Sequence, residues 1–127
     1  MIITIRVKNL KYFKEEEFRK ATPSCSLSDM DEDFMQLLDV SREIAGIPFV
    51  INSAYRSVEY EKKKGRSGNS RHTKGIAVDI RCRTNGERYL IVASLLIAGF
   101  RRIGIGSNFI HVDSGYPDAS QPIIWTY

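Results

Sequence analysis

The chain has 127 residues, 43% hydrophobic and 27% charged, with a formal net charge of +4. That length fits one domain spanning residues 1–127, large enough to bury a core without a disulfide scaffold. No apolar run approaches the ~18 residues of a membrane-crossing helix, and so mild a basic excess does not by itself select nucleic acid or any other polyanion as partner.

Residues 2–7 alternate apolar and polar in the manner of a short strand. The same N-terminus lacks the basic start, apolar stretch and small-residue cleavage site of a secretory signal. Glu15-Glu16-Glu17-Phe18 reads as the acidic first turn of a short helix. A longer helix is expected from a cap at Ser28 or Asp29, with Phe34, Leu37, Leu38 and Ile44 at helical spacing. Gly46 and then Pro48 end it. Residues 49–55 read as a strand, and the polar run Lys62-Lys63-Lys64-Gly65-Arg66-Ser67-Gly68-Asn69-Ser70 as an exposed loop.

Residues 76–82 form the next expected strand. Asn85–Ala98 is a helix with Gly99 as its left-handed cap, and the apolar run at residues 89–100 implies that it is buried. Residues 101–106 and 109–114 are expected as a hairpin turning at Ser107-Asn108. A last extended piece, residues 123–127, adds to the sheet or packs across it. These elements give an α+β domain with a mostly antiparallel central sheet and helices packed on one side. Cys25 and Cys82 are too few and too far apart for a zinc-ribbon pattern. Buried free thiols are expected in preference to a single disulfide.

Chemistry collects around the two histidines, His72 and His111. In the strand at residues 76–82, Ile76, Val78, Ile80 and Cys82 share the core face, so Asp79 points the other way with Ala77 and Arg81. In Phe109-Ile110-His111-Val112-Asp113, Ile110 and Val112 face the core while His111 and Asp113 share the opposite face. If the two strands are neighbours, Asp79, His111 and Asp113 converge over one surface, and the Lys74-Gly75 turn allows His72 to fold back over it. Two imidazoles and one carboxylate, with a position left for water, make a catalytic rather than a structural zinc set. Other divalent metals accept such ligands, but zinc suits the mixture best. Taken singly, each of these residues reads as well as a hydrogen-bonded histidine or a salt-bridged aspartate.

Ser70-Arg71-His72-Thr73-Lys74-Gly75-Ile76-Ala77-Val78-Asp79 matches S-x-H-x-x-G-x-A-x-D, and His111-Val112-Asp113 supplies a later H-x-D. With Ser53-Ala54-Tyr55-Arg56-Ser57 upstream, the chain resembles the zinc D-Ala-D-Ala carboxypeptidases and murein peptidases. These belong to the wider group that includes lysostaphin-type enzymes and the hedgehog zinc fold. The resemblance covers roughly residues 13–115 and implies zinc held by His72, Asp79 and His111, with peptidoglycan stem peptides as substrate. It also implies that Arg56 binds the substrate's carboxylate or backbone near the cut, a role suited to a planar guanidinium. The alternative for Arg56 is a structural ion pair with Asp79 or Asp113.

Ser70 is a candidate for orienting the substrate, or else a loop hydroxyl bonded to its own backbone. Many relatives place a glutamate three residues before the second histidine, where this chain has Asn108, which cannot take a proton from water. Asp113 is the substitute base, its rival role being to orient a ligand histidine. The reaction implied is hydrolysis by metal-activated water, and a non-catalytic zinc-stabilised binding module is the alternative. Trp125 and Tyr127 line a substrate groove or form a core edge, and Gly104-Ile105-Gly106 is a strand-end turn rather than a dinucleotide site.

Overall fold

The computed structural model describes residues 10–114 and 121–127, so the strand expected at 2–7 lies outside the described residues. In chain order come α1 (Glu15–Arg19), a 3-10 turn (Leu27–Asp29), α2 (Glu32–Ala45), β1 (Ile51–Ser53) and α3 (Val58–Lys63). A second 3-10 turn (Arg71–Lys74), β2 (Ala77–Arg81), α4 (Asn85–Ala98), β3 (Arg102–Ile105), β4 (Phe109–Asp113) and β5 (Ile123–Thr126) follow. The strands form one five-stranded sheet in the order β1-β2-β4-β3-β5. Every pairing is antiparallel except that of β3 with β5. This is the α+β architecture expected from the chain, and β5 joins the sheet.

Alternation along β2 and β4 works as the residue pattern implies. Val78, Ile80, Ile110 and Val112 are fully buried, as is Ile103 of β3. They share one core with Met35 and Leu38 of α2 and Ile91 and Leu95 of α4, and α2 packs directly on α4. Each such side chain contributes about 1.5–3 kcal/mol when fully removed from water. Cys25 and Cys82 are buried free thiols.

Several local expectations are corrected. Asp31 caps α2, its carboxylate accepting from the Phe34 N–H at 2.9 Å. Ser28 and Asp29 belong to the preceding 3-10 turn, where the Asp29 carboxylate accepts from the Ser26 N–H and closes a capping box. Ile44 is exposed rather than part of the core stripe. The strand at 49–55 shortens to β1. After Ser53 the chain leaves the sheet, because the Ala54 carbonyl turns to His72 and the Arg56 N–H donates to the His72 carbonyl. The loop at 62–70 begins later than expected, since Lys62 and Lys63 close α3, a helix capped by Ser57. The helix α4 is only half-buried, with Tyr89 and Ile97 largely exposed.

Candidate metal centre

The face of the sheet opposite the core carries the polar side chains of interest. Register sets Ser53 opposite Asp79, Asp79 opposite His111, His111 opposite Gly104, and Gly104 beside Trp125. Cross-strand neighbours share a face, so these five residues form one row across the sheet. Gly104 is required in that row. A Cβ there would stand 2.7 Å from the Trp125 ring, which instead lies over β3 with its centroid 5.6 Å from that of His111. The Arg102 guanidinium covers the indole at 5.2 Å.

His72 reaches the row from the 3-10 turn preceding β2. Gly75 ends that turn in the left-handed region at φ 71°, where any Cβ would collide with the Asp29 backbone oxygen. The His72 Nδ1–H donates to the Ala54 carbonyl at 2.7 Å, which leaves Nε2 as the lone-pair nitrogen, 3.6 Å from Asp79 Oδ1. The two imidazole centroids are 5.3 Å apart.

His111 lies between two carboxylates. Its Nδ1 is 2.9 Å from Asp79 Oδ1, and its Nε2 is 2.7 Å from Asp113 Oδ2. Asp113 is 2% exposed, and its other oxygen accepts from Arg102 Nε at 2.6 Å. Burial alone would lower the His111 pKa, but hydrogen bonds donated to Asp113 and Asp79, and the charges of those carboxylates, raise it above its ordinary value. Burial likewise works against ionised Asp79. The hydrogen bonds and charges of His111 and His72 overcome it and hold that carboxyl far below the usual range. Asp113 is depressed in the same way, against burial, by His111 and Arg102.

One ligand atom from each of His72, Asp79 and His111 lies within 4.8 Å of the others. The donor set fits a metal ion by its own chemistry. With His72 Nδ1 committed to Ala54 and His111 Nε2 to Asp113, the remaining lone-pair nitrogens both face the same Asp79 oxygen. The position between them suits a divalent cation, since two imidazole nitrogens and one carboxylate oxygen meet there.

A family model described as Peptidase M15 matches residues 11–113. The chain belongs to that peptidase family. No curated protein matches it. The matched span includes the three candidate ligands, and the family agrees with the resemblance to zinc D-Ala-D-Ala carboxypeptidases.

In this member of the peptidase family each of the three Arg56 guanidinium nitrogens donates to a protein group. Nε donates to Ser53 Oγ at 2.9 Å, Nη1 to Glu61 Oε2 at 3.3 Å and Nη2 to Asp79 Oδ2 at 3.0 Å. Asp79 is therefore divided, one oxygen facing the histidines and the other facing Arg56. Glu61, a residue the sequence reading passed over, is completely buried on α3. Burial pushes its carboxyl up, and the Ser70 hydroxyl and Arg56 more than offset this. The Ser70 contact is poorly shaped, since Ser70 Oγ and Glu61 Oε1 are both buried without a well-formed partner. Ser70 thus turns toward Glu61. Asn108 lies exposed in the β3–β4 turn, where its carbonyl accepts from the Cys82 N–H.

Proposed function

We propose that the protein is a zinc-dependent peptidase that hydrolyses peptidoglycan stem peptides, with His72 Nε2, Asp79 Oδ1 and His111 Nδ1 as the metal ligands. The observation that carries this reading is the convergence of those three residues from the 3-10 turn, β2 and β4 on one point of the sheet's outer face. Two imidazoles and one carboxylate leave a coordination position for water, which is the donor set of catalytic rather than structural zinc. Zinc bound there supplies a water of near-neutral pKa and polarises the carbonyl to be cut.

The remaining residues prepare that chemistry. Ala54 fixes the His72 tautomer through its carbonyl, and Asp113 does the same for His111. Both Asp113 oxygens are committed, which supports an orienting role better than that of proton acceptor. Arg56 holds the second Asp79 oxygen, which leaves Oδ1 as the oxygen that faces the two histidines and would be offered to the ion. Trp125 walls the site beside His111 and keeps water from one side of the ring.

The test is metal analysis of the purified protein combined with mass spectrometry of muropeptides digested by it. Stoichiometric zinc and a defined cleaved bond are expected, and neither should survive His72→Ala. The competing reading is a zinc-stabilised, non-catalytic binding module, favoured by the exposed amide of Asn108 where many relatives carry a carboxylate. Bound zinc without any cleaved muropeptide would establish that reading instead.

A further inference from the structure

The one buried residue of α3 is Glu61, a carboxylate with no exposure at all. Its Oε1 has no well-shaped hydrogen bond, and a buried charge left partly unsatisfied is costly. Apolar residues in place of a buried ion pair are often neutral or stabilising, so stability alone does not account for this one. What the carboxylate does is join two segments that each carry a candidate ligand. Oε2 accepts from Arg56 Nη1 at 3.3 Å, and the same guanidinium donates from Nη2 to Asp79 Oδ2 at 3.0 Å. The Ser70 hydroxyl and backbone N–H approach the Glu61 carboxylate from the other segment.

Ser70 is the N-cap of the 3-10 turn that holds His72, yet its hydroxyl makes no cap bond. Its carbonyl accepts from the Thr73 N–H at 3.0 Å and from the Thr73 hydroxyl at 2.6 Å, so the place of Ser70 carries through the turn. The Glu61 carbonyl accepts from the Arg66 N–H at 2.9 Å. Glu61 thereby meets both ends of the loop that leads from α3 to His72. We propose that Glu61 is a positioning residue of the metal centre, setting Asp79 through Arg56 and His72 through Ser70. One carboxylate then holds two ligands from separate elements at a common spacing. The Arg56 guanidinium stands between Glu61 and Asp79 and offsets the Glu61 charge, so reach and hydrogen-bond position, not charge, are what Glu61 contributes. This rests on the metal assignment above.

The test is cobalt(II) titration of the full chain and of Glu61→Gln, Glu61→Asp and Glu61→Leu, with folding verified by circular dichroism. Glutamine keeps the length and an oxygen for Arg56. Aspartate keeps the charge but is one methylene shorter, and leucine fills the space without an acceptor. Glu61→Gln should bind cobalt as tightly as the unaltered protein and show the same visible ligand-field bands. Glu61→Asp and Glu61→Leu should bind about 10- to 100-fold more weakly, as for other lost supports of metal ligands. Their bands at saturating cobalt should shift, which a loss of stability alone does not produce. Normal affinity and unchanged bands in the aspartate or the leucine variant would make Glu61 a support of α3 only. A glutamine variant as weak as the others would assign the effect to charge, and collapse of both the aspartate and leucine variants would make Glu61 a residue of the fold itself. Each of these results overturns the proposal. An unaltered protein that takes up no cobalt removes instead the metal reading beneath it.

Discussion

Asp113 Oδ2 stands 2.7 Å from Nε2 of His111, on the side of the ring away from Asp79. A carboxylate in that place fixes which imidazole nitrogen keeps its lone pair for an ion, and it strengthens that nitrogen as a donor. Asp113→Asn keeps an acceptor but loses the charge. Zinc affinity should fall about 10- to 100-fold, and hydrolysis should largely return once zinc is saturating. If Asp113 were the proton acceptor, affinity would hold while turnover dropped about 10²- to 10⁴-fold at any zinc level. Competition with a metal-binding dye, run beside the hydrolysis assay, distinguishes the two.

The chain's single tryptophan is the one that lies against His111, so its fluorescence reports on the metal centre directly. Titrating cobalt(II) should quench Trp125 with an endpoint of one ion per chain, and zinc should reverse the quenching. At free zinc one hundred times above Kd, the folded state gains about 2.7 kcal/mol. For a domain of this size that corresponds to a rise in Tm of roughly 10 °C. His72→Ala and His111→Ala should abolish both the quenching and the rise. Quenching that survives in either variant would place the ion elsewhere.

Much of this site was legible before any coordinates because β2 and β4 leave little freedom. Ile76, Val78, Ile80 and Cys82 have to be buried together, which forces Asp79 outward, and Ile110 and Val112 do the same for His111. The spaced motif from Ser70 to Asp79 supplied His72. What stayed hidden depends on partners distant in sequence. The place of Arg56 is set by Ser53, Glu61 and Asp79, which come from three separate segments. Glu61 sits in a charged stretch beside lysines and resembles a solvated residue, although it is wholly buried. Its helix, α3, has no apolar stripe, and only the Ser57 cap with acids at the start and lysines at the end signals it. The parallel pairing of β5 with β3 has no local signature at all.

The pH dependence of the metal-free protein follows from the same contacts. The His111 pKa is raised in the fold, as burial is outweighed by Asp113 and Asp79. Its protonated form therefore stabilises fully below an unfolded value of about 6.5, and the benefit is lost as pH climbs through the raised folded value. Asp79 and Asp113 are depressed despite burial, by the histidines and by His111 with Arg102 respectively. Their contribution is present above about pH 3.9 and lost as pH falls through the depressed values. Metal-free protein should be most stable between about pH 4 and 6.5. Zinc needs the proton removed from His111. The gain in Tm on adding zinc should therefore widen as pH rises through the raised His111 value. Paired thermal melts with chelator and with zinc across that range measure it, and a pH-independent gain would contradict the assignment of His111 as a ligand.

Gly104 connects sheet geometry to the site, since a methyl group added there meets the indole of Trp125 at 2.7 Å. Gly104→Ala should cost about 1–3 kcal/mol through overpacking. It should displace Trp125 from His111, weakening the cobalt quenching and raising KM or lowering kcat. Trp125→Leu alone should also remove the wall beside His111. In the double variant the added methyl no longer has a ring to strike, so the two stability losses should fall short of additivity by at least about 0.5 kcal/mol. Strictly additive losses in denaturant melts would mean that Gly104 serves β3 itself, independently of the tryptophan that crosses it.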